Sequence, residues 1–116
     1  MEIRQQQNVV AILALIRKQC ATHLPIGHSF IPYDILVVVI DSFTSNKELT
    51  VKALFATLPY SDMGLRHHFR RLIDNGWIEL HSVNGDARVK QIKPTEKLSK
   101  QFLSLAQLVS PHLNLM

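Results

Sequence analysis

Cysteine is nearly absent from this sequence: Cys20 is the single one among 116 residues. That excludes an internal disulfide and a four-cysteine zinc site, and it agrees with a reducing compartment. Long hydrophobic runs are also missing. The longest, Ile35 to Ile40, is bounded by Asp34 and Asp41 and falls far short of the roughly 20 residues that a bilayer crossing requires, so no membrane association is expected. The N-terminus, Met1-Glu2-Ile3-Arg4 followed by three glutamines, lacks the apolar core and small-residue cleavage site of a secretory signal, and a cytoplasmic protein is expected. There is no Gly-rich phosphate loop with its lysine, no Gly-flanked nucleophilic serine and no recognisable pair of carboxylates, so no enzyme is expected. The six histidines offer no metal motif. His67 and His68 are adjacent and would point apart on a helix, and His23, His28, His81 and His112 show no i, i+4 pairing. Neither a metal nor a cofactor is implied.

What the sequence does have is enough apolar material for a core. At 47% hydrophobic and 19% charged residues it belongs with compact globular chains, and its length suits one domain. No internal repeat, low-complexity tract or linker divides it. The net charge of +4 is unevenly placed. Residues 1–46 hold three basic and three acidic side chains, whereas residues 47–100 hold ten basic and six acidic. The whole excess therefore lies in one segment, which makes an anionic partner worth testing.

Hydrophobic periodicity locates the elements. Val9, Ile12, Leu13, Ile16 and Cys20 fall on one helical face, with Val10 and Leu15 outside it, and the helix should stop before Pro25 and Gly27. Ile35-Leu36-Val37-Val38-Val39-Ile40 is rich in strand formers. A helix from about Ile31 to Phe43 is nevertheless predicted, because Pro32 suits a first helical turn and Phe43 extends the apolar pattern past strand length. Thr50 is an N-cap for a short helix that Pro59 ends, and Ser61 is a second N-cap with Asp62 in the first turn. The longer helix that follows has the core stripe Leu65, Phe69, Leu72 and Ile73, with Gly76 placed for a left-handed cap.

Two capped helices joined by a short turn make a helix-turn-helix pattern. Trp77, Ile78, Leu80 and Val83 then form a strand, Asn84-Gly85 is a hairpin turn pair, and residues 87–92 alternate as a second strand. A two- or three-stranded wing is expected. Thr95 caps a last helix with the stripe Leu98, Phe102, Leu105 and Val109. The predicted fold class is thus mainly α with a small β-hairpin wing, a winged helix-turn-helix flanked by N- and C-terminal helices. Residues 1–30 are expected to be a helical dimerisation segment, 31–95 the winged-helix core and 96–116 the C-terminal helix.

The sequence resembles the MarR (multiple antibiotic resistance regulator) family of winged-helix regulators. Leu49-Thr50-Val51-Lys52-Ala53-Leu54 resembles that family's entry to the first helix of the pair, and Leu72-Ile73-Asp74-Asn75-Gly76-Trp77-Ile78 its exit from the recognition helix. Asp86, Arg88, Ile92 and Thr95 keep the spacing of its wing motif. Ala87, Pro94 and Lys97 depart from the usual residues. The resemblance implies a transcriptional regulator with double-stranded DNA as partner, a homodimer, and a small-molecule effector left open; repression is expected because promoter occupancy requires binding alone.

On the recognition helix, Met63, His67, Arg70 and Asp74 lie opposite the apolar stripe, with Arg66 and Arg71 on the flanks. Met63, Gly64, Arg66, His67 and Arg70 are the candidates for base edges and Arg71 for flanking contact, since arginine's fork matches guanine O6 and N7. Ser61 caps the helix and is placed to reach a phosphate. From the resemblance, Arg88 is expected to enter a minor groove with Asp86 directing it. Lys90 and Lys93 are expected beside Arg88 on one strand face, as phosphate contacts. Surplus apolar residues, Val10 and Leu15 near the start and Leu103, Leu108, Leu113, Leu115 and Met116 near the end, motivate the dimer, since an isolated monomer would expose them. The competing reading is a winged helix that binds protein rather than DNA. Cys20, on an apolar stripe, is expected to be a buried, unreactive thiol.

Overall fold

The computed structural model describes residues 1–113. Its helices are α1 (Ile3–His23), α2 (Phe30–Thr44), α3 (Val51–Thr57), α4 (Asp62–Asp74) and α5 (Glu96–Val109), with a 3-10 turn at Ser110–His112. Between α4 and α5 stand β1 (Ile78–Val83) and β2 (Asp86–Pro94), which pair antiparallel. This is the predicted winged helix-turn-helix with flanking helices, and the element boundaries agree with the sequence reading to within a residue or two.

α2 settles the ambiguous apolar run as a helix. Ile35, Leu36 and Val39 are completely buried while Val37 is exposed, a spacing that one helical face produces and a strand cannot. Ser29 starts it, its hydroxyl accepting the Ile31 amide at 3.1 Å. Pro32 then occupies the first turn, where no amide is needed. α3 and α4 start as expected: Thr50 Oγ1 accepts the Ala53 amide at 3.1 Å and Ser61 Oγ the Gly64 amide at 3.1 Å.

α4 ends in a paired-carbonyl cap. The Trp77 amide donates to the Leu72 carbonyl at 2.9 Å and the Gly76 amide to the Ile73 carbonyl at 3.0 Å, with Gly76 at φ +76°. That left-handed conformation is what a Schellman cap demands. Asn84 at φ 50° and Gly85 at φ 77° form the β1–β2 turn, both positive as a type I′ hairpin requires. Thr95 closes the unit from the far side. Its hydroxyl donates to the Gly76 carbonyl at 2.6 Å and accepts the Leu98 amide at 3.3 Å, tying the end of α4 to the start of α5.

The core gathers Ile35, Leu36 and Val39 of α2, Leu54 of α3, Leu65, Phe69 and Leu72 of α4, Ile78 and Ile92 of the hairpin, and Leu98 of α5. Leu49 adds a fragment of third strand: its carbonyl accepts the Ile92 amide at 2.8 Å, and Thr50 bridges Gln91. The hairpin is therefore two-stranded with a one-residue bridge beside it. α1 packs on α5, with His23 Nδ1 3.2 Å from Gln101 Oε1. Only its second half does so. Residues 1–11 are exposed throughout, which gives the molecule its 53 × 30 × 25 Å extent.

Candidate nucleic-acid interface

α4 is sharply two-sided. Leu65, Phe69 and Leu72 are buried, while Met63, His67, Arg70 and Asp74 are exposed on the opposite side. Met63 at 81% exposure stands in open solvent, an unfavourable position for an apolar side chain without a partner. Arg70 makes no hydrogen bond or ion pair among the described residues. Arg66 is engaged: Nη2 donates to Asp62 Oδ2 at 2.7 Å one turn earlier, in an exposed i, i+4 pair. To read a base, Arg66 must exchange that partner, and Arg70 need not.

Gly64 departs from expectation. It does not join the exposed face of Met63, His67 and Arg70, because a Cβ there would lie 3.1 Å from Ser61 Oγ and 3.3 Å from Ile31 Cδ1. The position instead lets α4 approach its own cap and the start of α2. Arg71 and His68 occupy the same flank, facing the Pro25–Ser29 loop.

The wing tip is built around Asp86. Its Oδ1 accepts the Arg88 amide at 2.9 Å and Arg88 Nε at 3.3 Å, so the carboxylate holds both the backbone and the guanidinium of the arginine two residues on. Arg88 is otherwise free, its side chain 91% exposed. The expected common face of Arg88, Lys90 and Lys93 does not form. Lys90 pairs with Ser82 and Lys93 with Glu79, and residues three apart on a strand point to opposite faces. The pairing also slips between Ser82 and Val83, where Ala87 to Val89 stand unmatched on β2. Arg88 sits in that bulge, outside the alternation. Lys90 Nζ reaches Ser82 Oγ at 3.0 Å.

The titratable groups respond to these surroundings. Burial pushes the Cys20 thiol up, in keeping with the unreactive role expected of it. A hydrogen bond to Asp34, with desolvation and the carboxylate charge behind it, raises the Tyr60 hydroxyl. That contact ties α2 to the turn between α3 and α4. No group of metal-binding side chains occurs among the described residues, and no helix among them is long and apolar enough to cross a membrane.

No family model matches the sequence, and no curated protein matches it. Solved structures do. NadR in complex with 4-hydroxyphenylacetate superposes with a TM-score of 0.66 at 15% identity, over 97% of this chain and 75% of that one. Wild-type MarR from E. coli gives 0.61 at 18% identity, over 93% and 75%. Overoxidized AbfR bound to DNA gives 0.56 at 19% identity, over 97% and 77%. All three are MarR-family transcriptional regulators.

The chain has the MarR-type winged-helix fold.

Within that MarR-type fold, sequence reasoning missed three features of the site. Ser29 as the cap of α2 was legible, since it stands three residues before Pro32 in a Ser-Phe-Ile-Pro start. The Asp34–Tyr60 bond and the meeting of His28, His68 and Arg71 were not. Their partners lie far apart in the chain, and nothing local marks them.

Proposed function

We propose that this protein is a transcriptional regulator that binds specific duplex DNA as a homodimer and acts as a repressor. The observation that carries the reading is the pairing of an exposed, basic α4 face with a wing arginine aimed by its own carboxylate. Met63, Arg66, His67 and Arg70 are positioned to enter a major groove, and Ser61 and Arg71 to meet its phosphates. Arg88, directed by Asp86, is the minor-groove candidate, while Lys90 and Lys93 are phosphate candidates on opposite faces of β2. The DNA-bound AbfR structure supports duplex DNA as the partner. Repression requires only that the bound dimer occupy a promoter.

Fluorescence anisotropy with labelled duplexes tests the reading. Binding is expected at low salt, falling steeply and linearly on a log–log plot as counterions are displaced, with selection then recovering half-sites about 10 base pairs apart or a multiple. No duplex binding at low salt overturns the reading and leaves the protein-interaction alternative.

An effector site accompanies this reading. A cavity of about 310 Å³ opens between α1 and α2, with Leu13, Ile16, Phe30 and Tyr33 as apolar wall and Arg17 at its edge. Phe30 and Tyr33 meet edge to face, their ring centroids 6.3 Å apart. Aromatic walls with one guanidinium suit an aryl carboxylate, the class to which the 4-hydroxyphenylacetate of NadR belongs.

A further inference from the structure

A second, more polar cavity of about 220 Å³ lies between the Pro25–Ser29 loop and α4. Its polar wall is His28 and Ser29 before α2, His68 and Arg71 from α4 and Asn75 just past the end of α4, with Pro25 and Pro32 closing it. No acidic side chain lines it. The side chains of His28, His68 and Arg71 make no hydrogen bond or ion pair among the described residues.

We propose that this notch is an oxyanion site, in which Arg71, His28 and His68 together grip one phosphate- or sulfate-like group. The chemistry follows from what is gathered there. A guanidinium presents a fork of donors to a tetrahedral oxyanion, and a protonated imidazole adds a charge-assisted donor. Three cationic or protonatable groups converge on one concavity, and an anion converts their mutual repulsion into attraction.

His68 registers burial and the charges of its neighbours on α4. It is half-buried, and desolvation first, then the charges of His67 and Arg71, hold its pKa below the ordinary imidazole value. The groups facing it are His67 and Arg71 on α4, His28 on the loop and the neutral Asn75. A bound anion opposes both the desolvation and the repulsion, so it raises the His68 pKa. By linkage, anion affinity then rises as pH falls through the imidazole range.

The oxyanion has two sources, a backbone phosphate of the duplex lying along α4 or a free anion. The site itself is tested without DNA. Sulfate is the probe because its charge is constant across this pH range, and sodium chloride at matched ionic strength is the reference. At about pH 6, sulfate should raise the melting temperature of the wild type by a few degrees more than that of the H28Q/H68Q double variant. The excess should vanish at about pH 8. The His68 ring resonances should titrate at higher pH in sulfate than in chloride. Equal sulfate increments in wild type and variant at both pH values, with an unmoved His68 titration, overturn the proposal and leave a solvated basic surface.

A second arm assigns the source. If a duplex phosphate fills the notch, H28Q/H68Q flattens the pH dependence of duplex affinity and sulfate competes with DNA beyond its ionic strength. If a free anion fills it, the sulfate effect persists and the pH dependence of duplex affinity is the same in both proteins. Failure of the sulfate arm removes this site and leaves the regulator reading intact. Failure of duplex binding removes that reading and leaves the site.

Discussion

Arg88 and Asp86 show how little a contact can contribute to stability while still shaping a surface. The pair is exposed, and such ion pairs stabilise a fold by about 1 kcal/mol at most. Asp86 does more for local geometry, since its Oδ1 also takes the Arg88 amide. Arg88→Ala is therefore expected to leave the melting temperature unchanged and lower duplex affinity, most for operators with A·T-rich flanks, whose narrow minor groove attracts a guanidinium. Asp86→Ala should weaken binding as well, although it removes a negative charge from the surface proposed to meet DNA, because an undirected arginine loses more conformational freedom on docking. Anisotropy on matched operators checks both. Tighter binding by Asp86→Ala with no change in Arg88→Ala would show that the wing does not read the groove.

At the scale of elements, the helix-turn-helix depends on how its helices begin and end. Gly76 holds the left-handed turn that sends the chain from α4 into β1, and its φ of +76° costs a residue with a Cβ about 1 to 2 kcal/mol. Gly76→Ala should lower stability by about that amount, as read from urea unfolding, even though a Cβ there meets no neighbour within 4 Å. Along α4 the two forward arginines differ. Arg70→Ala should cost about 1 to 3 kcal/mol at the preferred operator and little on random DNA, if its fork meets a guanine. Arg66→Ala should cost less, because the wild-type arginine must first leave Asp62. Equal losses on both DNAs would reduce Arg70 to a phosphate contact.

For the whole molecule, the first half of α1 is the decisive feature. Val10 at 64% and Leu13 at 61% exposure project from a helix whose residues up to Ala11 are all exposed, and Leu103 and Leu108 of α5 are exposed too. Leu15 and Leu113, also expected to contribute, instead pack against the core, and Leu115 and Met116 lie outside the described residues. An isolated monomer would leave this apolar surface in water, and a second copy would cover it. Sedimentation should show a dimer at micromolar concentration. Leu13→Glu should shift it toward monomer and reduce affinity for a two-half-site operator more than for a single half-site. A wild-type monomer that stays monomeric on DNA would remove the dimer from the account.

Sequence alone determined the features encoded within a few residues. The caps Thr50, Ser61 and Thr95, the Asn84-Gly85 turn, Gly76 and the stripes of α4 and α5 are local, because hydrogen-bonding side chains and positive φ act over one turn. From their order and the wing spacing, the fold and the exposed face of α4 that carries Met63, His67 and Arg70 followed. Period-two alternation, applied to positions three apart, already sets Lys90 and Lys93 on opposite faces of β2; it fails only at Arg88, since a bulge depends on which residues of the opposing strand are available to pair. Gly64 was misplaced for a similar reason: an unencumbered glycine and one pressed against Ile31 look the same in sequence. Propensity favoured a strand over Ile35 to Ile40, and it was the burial of Ile35, Leu36 and Val39 against other helices that stabilised a helix. Only tertiary structure could bring His28 to His68 and Arg71, or Asp34 to Tyr60, because contacts between distant segments are set by how the elements pack and leave no periodic trace along the chain.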